Sequence, residues 1–138
     1  MKQLSIVVFL FFLCSCGHSV TKEDLTFLDG YWEIKKVNFP NGDTKTYEMN
    51  STVDYIEITG IKGYRKKVQP LADGSFITSD DAEYFSITDR EGIFIMTYES
   101  TMDTWEEEII SISETALALR NEDQITYTYE RYQPIILE

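Results

Sequence analysis

Histidine and cysteine are almost missing from this chain: among 138 residues there is one histidine and there are two cysteines, and Cys14, Cys16 and His18 all sit near the N-terminus. The body that follows therefore has no disulfide, no thiol nucleophile, no imidazole base and no cysteine or histidine metal ligand. A G-x-S-x-G nucleophile turn is also missing, and the carboxylates form no distinctive acid pair, so no residue is assigned a catalytic role, no metal or cofactor is implied, and the expectation is a protein that is not an enzyme. Basic residues are scarce, 12 Lys and Arg against 24 Asp and Glu, for a net charge of −12. A surface that acidic repels phosphate backbones and anionic headgroups, which argues against nucleic-acid binding and against electrostatic membrane adsorption. After Gly30 no amphipathic helical pattern runs beyond about two turns, and parallel α/β folds need such helices for their crossovers.

What the chain does have is apolar and aromatic residues, 43% and 14% respectively. That composition suits one folded β-rich domain. Met1-Lys2-Gln3 and then an apolar run from Leu4 to Leu13 make a short basic start and a hydrophobic segment of about 15 Å as a helix, half a bilayer core, hence an export leader rather than a spanning helix. The next residues, Leu13-Cys14-Ser15-Cys16-Gly17, resemble the lipobox of bacterial lipoproteins. Ser15 supplies the small residue before the cleavage point, so the resemblance implies a signal peptide over 1–15, acylation of Cys16, a tether over 16–20 and a folded domain over 21–138. An ordinary secretory signal with incidental cysteines is the alternative. The address implied is an exported protein, lipid-anchored in the bacterial cell envelope at the outer membrane, its membrane contact made through the N-terminal acyl chains. Losing Lys2 with the leader makes the remaining chain more acidic still.

Downstream, Thr21 followed by an acid three residues on, with Leu25 and Leu28 spaced i, i+3, predicts a capped helical turn ended by Gly30. Short strands then alternate with turn residues. Trp32 and Ile34 take the core face of the first, and a bulge within 35–39 is expected to turn Val37 and Phe39 toward the face of Tyr31. Further strands are expected over 44–49, 53–59, 64–69, 75–78, 84–88, 93–99, 105–112, 116–120 and 124–132, with Gly60 and Gly63 bracketing one turn. Eight to ten antiparallel strands leave too much edge for an open sheet, which predicts an all-β, up-and-down antiparallel β-barrel of about eight strands; a two-sheet sandwich meets the same need, and the hairpin connections favour the barrel.

Gly30-Tyr31-Trp32 at the head of the first strand matches a G-x-W pattern, and Arg131 stands in the last strand about a hundred residues on. On these residues the chain resembles the lipocalin-like lipoproteins of Bacteroidetes and, more loosely, the lipocalin and calycin barrels, although the family's other short motifs and its disulfides are not matched. The resemblance implies barrel closure by Gly30, Trp32 and Arg131, with the guanidinium over the indole.

If Ile125, Tyr127, Tyr129 and Arg131 face inward, Tyr127 and Tyr129 enter the lumen, with Ile34, Ile56, Ile58, Phe85, Ile87 and Met96 as its other candidate lining. The same residues could instead simply fill the core. Lys62, Arg65, Lys66 and Lys67 read as a solvated strand edge or an anionic-ligand rim, and Asp80-Asp81-Ala82-Glu83 and Glu106-Glu107-Glu108 as solvated surface. Two functions remain: a membrane-anchored protein binding a small hydrophobic or amphipathic ligand in the barrel, or an envelope structural or protein-interaction lipoprotein with a filled barrel. The oligomeric state stays open.

Overall fold

The computed structural model describes residues 17–134; the leader over 1–15 and Cys16 lie outside the described residues, as do 135–138. A short 3-10 helix, Glu23–Leu28, precedes ten strands: β1 (Gly30–Asn38), β2 (Thr44–Thr46), β3 (Val53–Thr59), β4 (Lys62–Pro70), β5 (Phe76–Thr78), β6 (Glu83–Arg90), β7 (Ile93–Glu99), β8 (Thr104–Ile112), β9 (Ala116–Asn121) and β10 (Thr126–Arg131). All pairings are antiparallel, and the sheet closes where β1 meets β10 in a register running from Trp32 opposite Arg131 to Asn38 opposite Thr126. Closure removes the edges that an open sheet would leave unpaired, so the barrel and not the sandwich is the solution adopted. Eight strands form the ring; β2 and β5 are three-residue additions to β1 and β4.

Local chemistry explains the boundaries. The Asp24 carboxylate accepts hydrogen bonds from the Thr21 N–H and hydroxyl at 2.8 and 2.9 Å, opening the helix, and its buried Leu25 and Leu28 plug one end of the barrel. Between β6 and β7, Glu91 and Gly92 both take positive φ, 56° and 87°, the backbone that lets a two-residue turn follow the twist of its strands. Gly63 is not a turn residue: it lies within β4 between Ile58 and Phe85 of the neighbouring strands. The bulge falls at Lys35, where the β1–β10 register shifts between Ile34 and Lys36. Its effect on Val37 is opposite to the expectation, because the extra residue returns Val37 to the inner face, opposite Tyr127 and buried, instead of leaving it beside Tyr31.

Inside the helix-plugged half, Leu28, Trp32, Ile56, Met96, Tyr98, Leu117 and Leu119 are essentially inaccessible to solvent and form one cluster with Phe85, Ile87 and Ile109. Each such side chain contributes roughly 1.5–3 kcal/mol on burial. Outside, Tyr31 stacks on Phe76 with ring centres 4.3 Å apart, and Tyr55, Tyr64 and Tyr84 continue the row across β3, β4 and β6 at 4.8, 6.1 and 6.0 Å steps. Val53 and Val68 share that outer face by register and are nevertheless buried.

Candidate functional site

The end opposite the helix is open. The strands deliver to it Ile34 of β1, Asp54 of β3, Arg65 and Lys67 of β4, Glu83 of β6, Trp105 and Glu107 of β8, and Tyr127 and Tyr129 of β10, around a cavity of about 690 Å³. A volume of this order falls in the range of small-molecule pockets. Its floor is a charged network. On β4 the alternation that points Gly63 inward also points Arg65 and Lys67 inward, opposite Ile56 and Asp54. Arg65 Nη2 donates to Asp54 Oδ2 at 2.9 Å and to the Tyr129 hydroxyl at 2.7 Å, while Nη1 donates to Glu107 Oε1 at 3.1 Å and the Tyr98 hydroxyl at 3.4 Å. The guanidinium carbon lies 5.4 Å from the centre of the Tyr129 ring.

Asp54 is 2% exposed and Glu107 8%. The second Asp54 oxygen, Oδ1, makes no aligned hydrogen bond and is met by the Lys67 ammonium as an ion pair. Burial would raise the Asp54 carboxyl, but the Arg65 and Lys67 charges outweigh it and hold it below the ordinary carboxylate value. Burial works against the Arg65 charge, but the Tyr129 and Tyr98 oxygens together with the Asp54 and Glu107 carboxylates hold the guanidinium firmly protonated. Burial pushes the Tyr129 hydroxyl up to about 12, and Tyr98 is raised further by the same cause.

The walls above this floor are less polar. Trp105 stacks on Tyr98 with ring centres 5.2 Å apart and planes 3° from parallel. Tyr127 accepts a 3.5 Å hydrogen bond from the Asn121 amide, and Ile34 of β1 stands opposite Tyr129 of β10 where the ring closes. Among the described residues no three carboxylate, histidine or cysteine groups converge as a metal site. A second hollow, of about 840 Å³, lies outside the barrel beside Arg131, Glu33, Lys35 and Glu130. It has no buried floor of this kind.

Of the lumen residues expected from sequence, Ile34, Tyr127 and Tyr129 border the cavity; Ile56, Ile58, Phe85, Ile87 and Met96 do not. These five belong to the packed half, Ile58 at its margin, because the helix and Trp32 fill that end and leave no space beside them. The expectation of solvated surface fails at two places. Arg65 leaves its basic run to enter the barrel, and Glu107, alternating with Glu106 and Glu108, turns in to meet it. Asp54, Trp105 and Asn121 complete the site without a sequence motif of their own, period-two alternation being the only signal for Asp54 and Trp105. Gly30, Trp32 and Arg131 meet at the closed end, the Arg131 guanidinium carbon 4.0 Å from the Trp32 ring centre.

The fold and its cavity together define a closed antiparallel meander barrel, packed at one end and open at the other. No family model matches the chain, and no curated protein matches it. Among solved structures it is similar to a lipocalin-like protein from Bacteroides uniformis, at 10% identity and a TM-score of 0.48, over 77% of this chain and 99% of that one. Apocrustacyanin C1 aligns at 9% identity and 0.48 over 84% of this chain and 66% of its own, and lobster apocrustacyanin A1 at 10% and 0.46 over 82% and 64%. Identities this low are silent about ligands.

Proposed function

We propose that this chain is a binding protein, not an enzyme, that takes one small amphipathic molecule into the open end of its barrel. The observation that carries this reading is the cavity itself: apolar and aromatic walls from Ile34, Trp105 and Tyr127 stand over a floor of buried charge. Such a site fits a molecule with an apolar body and a polar end better than a wholly hydrophobic one, since an alkane-like ligand would strip water from the Arg65 network without replacing it. The two buried carboxylates are both engaged by Arg65, which suits a fixed recognition surface more than proton transfer.

The reading includes an acyl anchor at Cys16 in the cell envelope, supported by the leader and lipobox-like residues. Val20 packs against the core and leads directly into the helix at the closed end. An anchor a few residues earlier would hold that end toward the membrane and turn the open end away from it, since four residues reach only about 14 Å. Exchanging Cys16 for serine should abolish incorporation of labelled palmitate.

Native mass spectrometry of the protein purified without detergent tests the binding reading, with a co-purifying small molecule expected. Trp105 supplies a second readout, because Trp32 is buried in the closed end and a ligand should quench only the fluorescence that Trp105→Phe removes. A protein that carries no adduct and whose Trp105 emission ignores amphipathic compounds would overturn it. A second reading, an interaction protein working through its outer surface, draws on the exposed end of the aromatic row at Tyr84, which is 64% exposed. It would gain if the cavity proved empty and Tyr84→Ala abolished a specific crosslink in the envelope.

A further inference from the structure

We infer that the polar end of the ligand is a cation rich in hydrogen-bond donors, an organic ammonium or guanidinium carried on a flat apolar body. The inference rests on the binding reading above and concerns what that cavity selects. Four carboxylates, Asp54, Asp81, Glu83 and Glu107, and three cationic side chains, Arg65, Lys66 and Lys67, border the opening. The cations are largely committed. Both terminal nitrogens of Arg65 already donate twice, and Lys67 is paired with Asp54. Lys66 belongs by register to the outer face, opposite Tyr55, and its ammonium lies 5.8 Å from the Tyr64 ring centre. An anion entering the cavity finds the terminal nitrogens of Arg65 taken and meets only the exposed Lys67 ammonium, which it must share with Asp54.

Acceptors are in the opposite condition. Glu107 gives Arg65 one oxygen, Oε1, and its other oxygen is in no ion pair among the described residues, the Tyr98 hydroxyl being the neutral group beside the carboxylate. Glu83 lies directly across from Arg65 on β6, and among the described residues neither it nor Asp81 forms an ion pair. Trp105, two residues before Glu107 on the same strand face, and Tyr127 put electron-rich rings beside these oxygens, the pairing that attracts organic cations. The chain's net charge of −12 adds a field that draws cations and repels anions at the mouth of a low-dielectric cleft. The Trp105 and Tyr127 rings beside these oxygens suit an organic cation, whose apolar body they can cover.

The test uses two probes with one ring system, 1-naphthylmethylamine and 1-naphthylacetate, titrated by calorimetry into the protein at neutral pH and low salt. The amine should bind about tenfold more tightly or better, as a charge-assisted hydrogen bond in a partly buried site predicts. The preference should shrink in high salt and disappear in Glu107→Gln. Because that variant touches the Arg65 network, a second one, Asp81→Asn with Glu83→Gln at exposed positions, is expected to fold normally and to lower the preference as well. Equal or tighter binding of the acetate, or a preference that both variants leave intact, would overturn the cation assignment and leave the binding reading standing. Binding of neither probe overturns the assignment alone if a small molecule co-purifies, and both readings if none does.

Discussion

Arg131 closes the barrel over Trp32. Its guanidinium carbon stands 4.0 Å from the indole ring centre, and its nitrogens donate to three backbone carbonyls, Phe27 and Asp29 at the helix exit and Glu114 in the β8–β9 turn. The indole N–H in turn donates to Leu28 O at 2.9 Å. One side chain thus joins the helix, the first strand, the last strand and a distant turn.

Removing it, as Arg131→Ala, is expected to cost about 2 to 4 kcal/mol, combining a cation–π contact with charged hydrogen bonds to carbonyls that would be left without their donor. Arg131→Lys should recover less than half of that, because a single ammonium cannot serve three carbonyls and cover the ring. Urea denaturation of both variants checks this, and unchanged midpoints would refute the lock. Gly30 belongs to the same arrangement: it holds φ +123°, and a Cβ there would stand 2.5 Å from Arg131 Nη1.

Arg65→Met is expected to destabilise the barrel by about 3 to 5 kcal/mol, since it leaves Asp54 and Glu107 buried without their shared partner. Replacing all three, with Asp54→Leu and Glu107→Leu added, should recover most of that stability because an apolar cluster of similar volume needs no compensating charge. The same triple variant should lose the native mass-spectrometric adduct. Stability recovered while binding is lost would separate the network's role in recognition from its role in holding the fold.

The pH dependence follows from Asp54 and Tyr129. Asp54 titrates lower folded than unfolded, so its contribution to stability is complete above the unfolded carboxylate value, near pH 4, and is lost as pH falls below it. Asp54→Asn should therefore be less stable at neutral pH yet lose less stability on acidification. At the other extreme Tyr129 titrates at about 12 when folded, so its contribution holds below the unfolded value and is lost as pH rises from about 10 toward 12. Thermal melts across both windows, with Tyr129→Phe as the alkaline control, read these slopes.

Strand positions were legible in the sequence because period-two alternation and turn residues are local. β3 and β7 run over the spans expected for them, 53–59 and 93–99. Closure was legible from the number of edges that had to be hidden. The floor of the cavity was not, because the inward row of a barrel strand is ordinarily apolar and nothing local marks the row that carries Arg65 or Glu107 as the exception. Its meaning depends on Asp54, Arg65, Glu107 and Tyr129 arriving together from four strands. The same limit explains why Ile56, Phe85, Ile87 and Met96 read as lumen residues: an inward side chain looks alike in sequence whether it faces a cavity or a neighbour.

Gly63 shows how that packed half is built. The sequence places it at a turn, but it lies within β4, where a Cβ would stand 3.1 Å from Ile58 Cα, 2.7 Å from the Phe85 ring and closer still to the Glu57 carbonyl oxygen. Two of those neighbours are backbone and cannot rotate away. Gly63→Ala should therefore destabilise by about 3 kcal/mol, the upper part of the range for overpacking. Shrinking the ring with Phe85→Leu should not rescue it, because the carbonyl contact remains and a cavity is added. Urea denaturation of the two single variants and the double distinguishes the cases. A double variant as stable as Phe85→Leu alone would mean that the ring, and not the β3 backbone, is what keeps this position glycine.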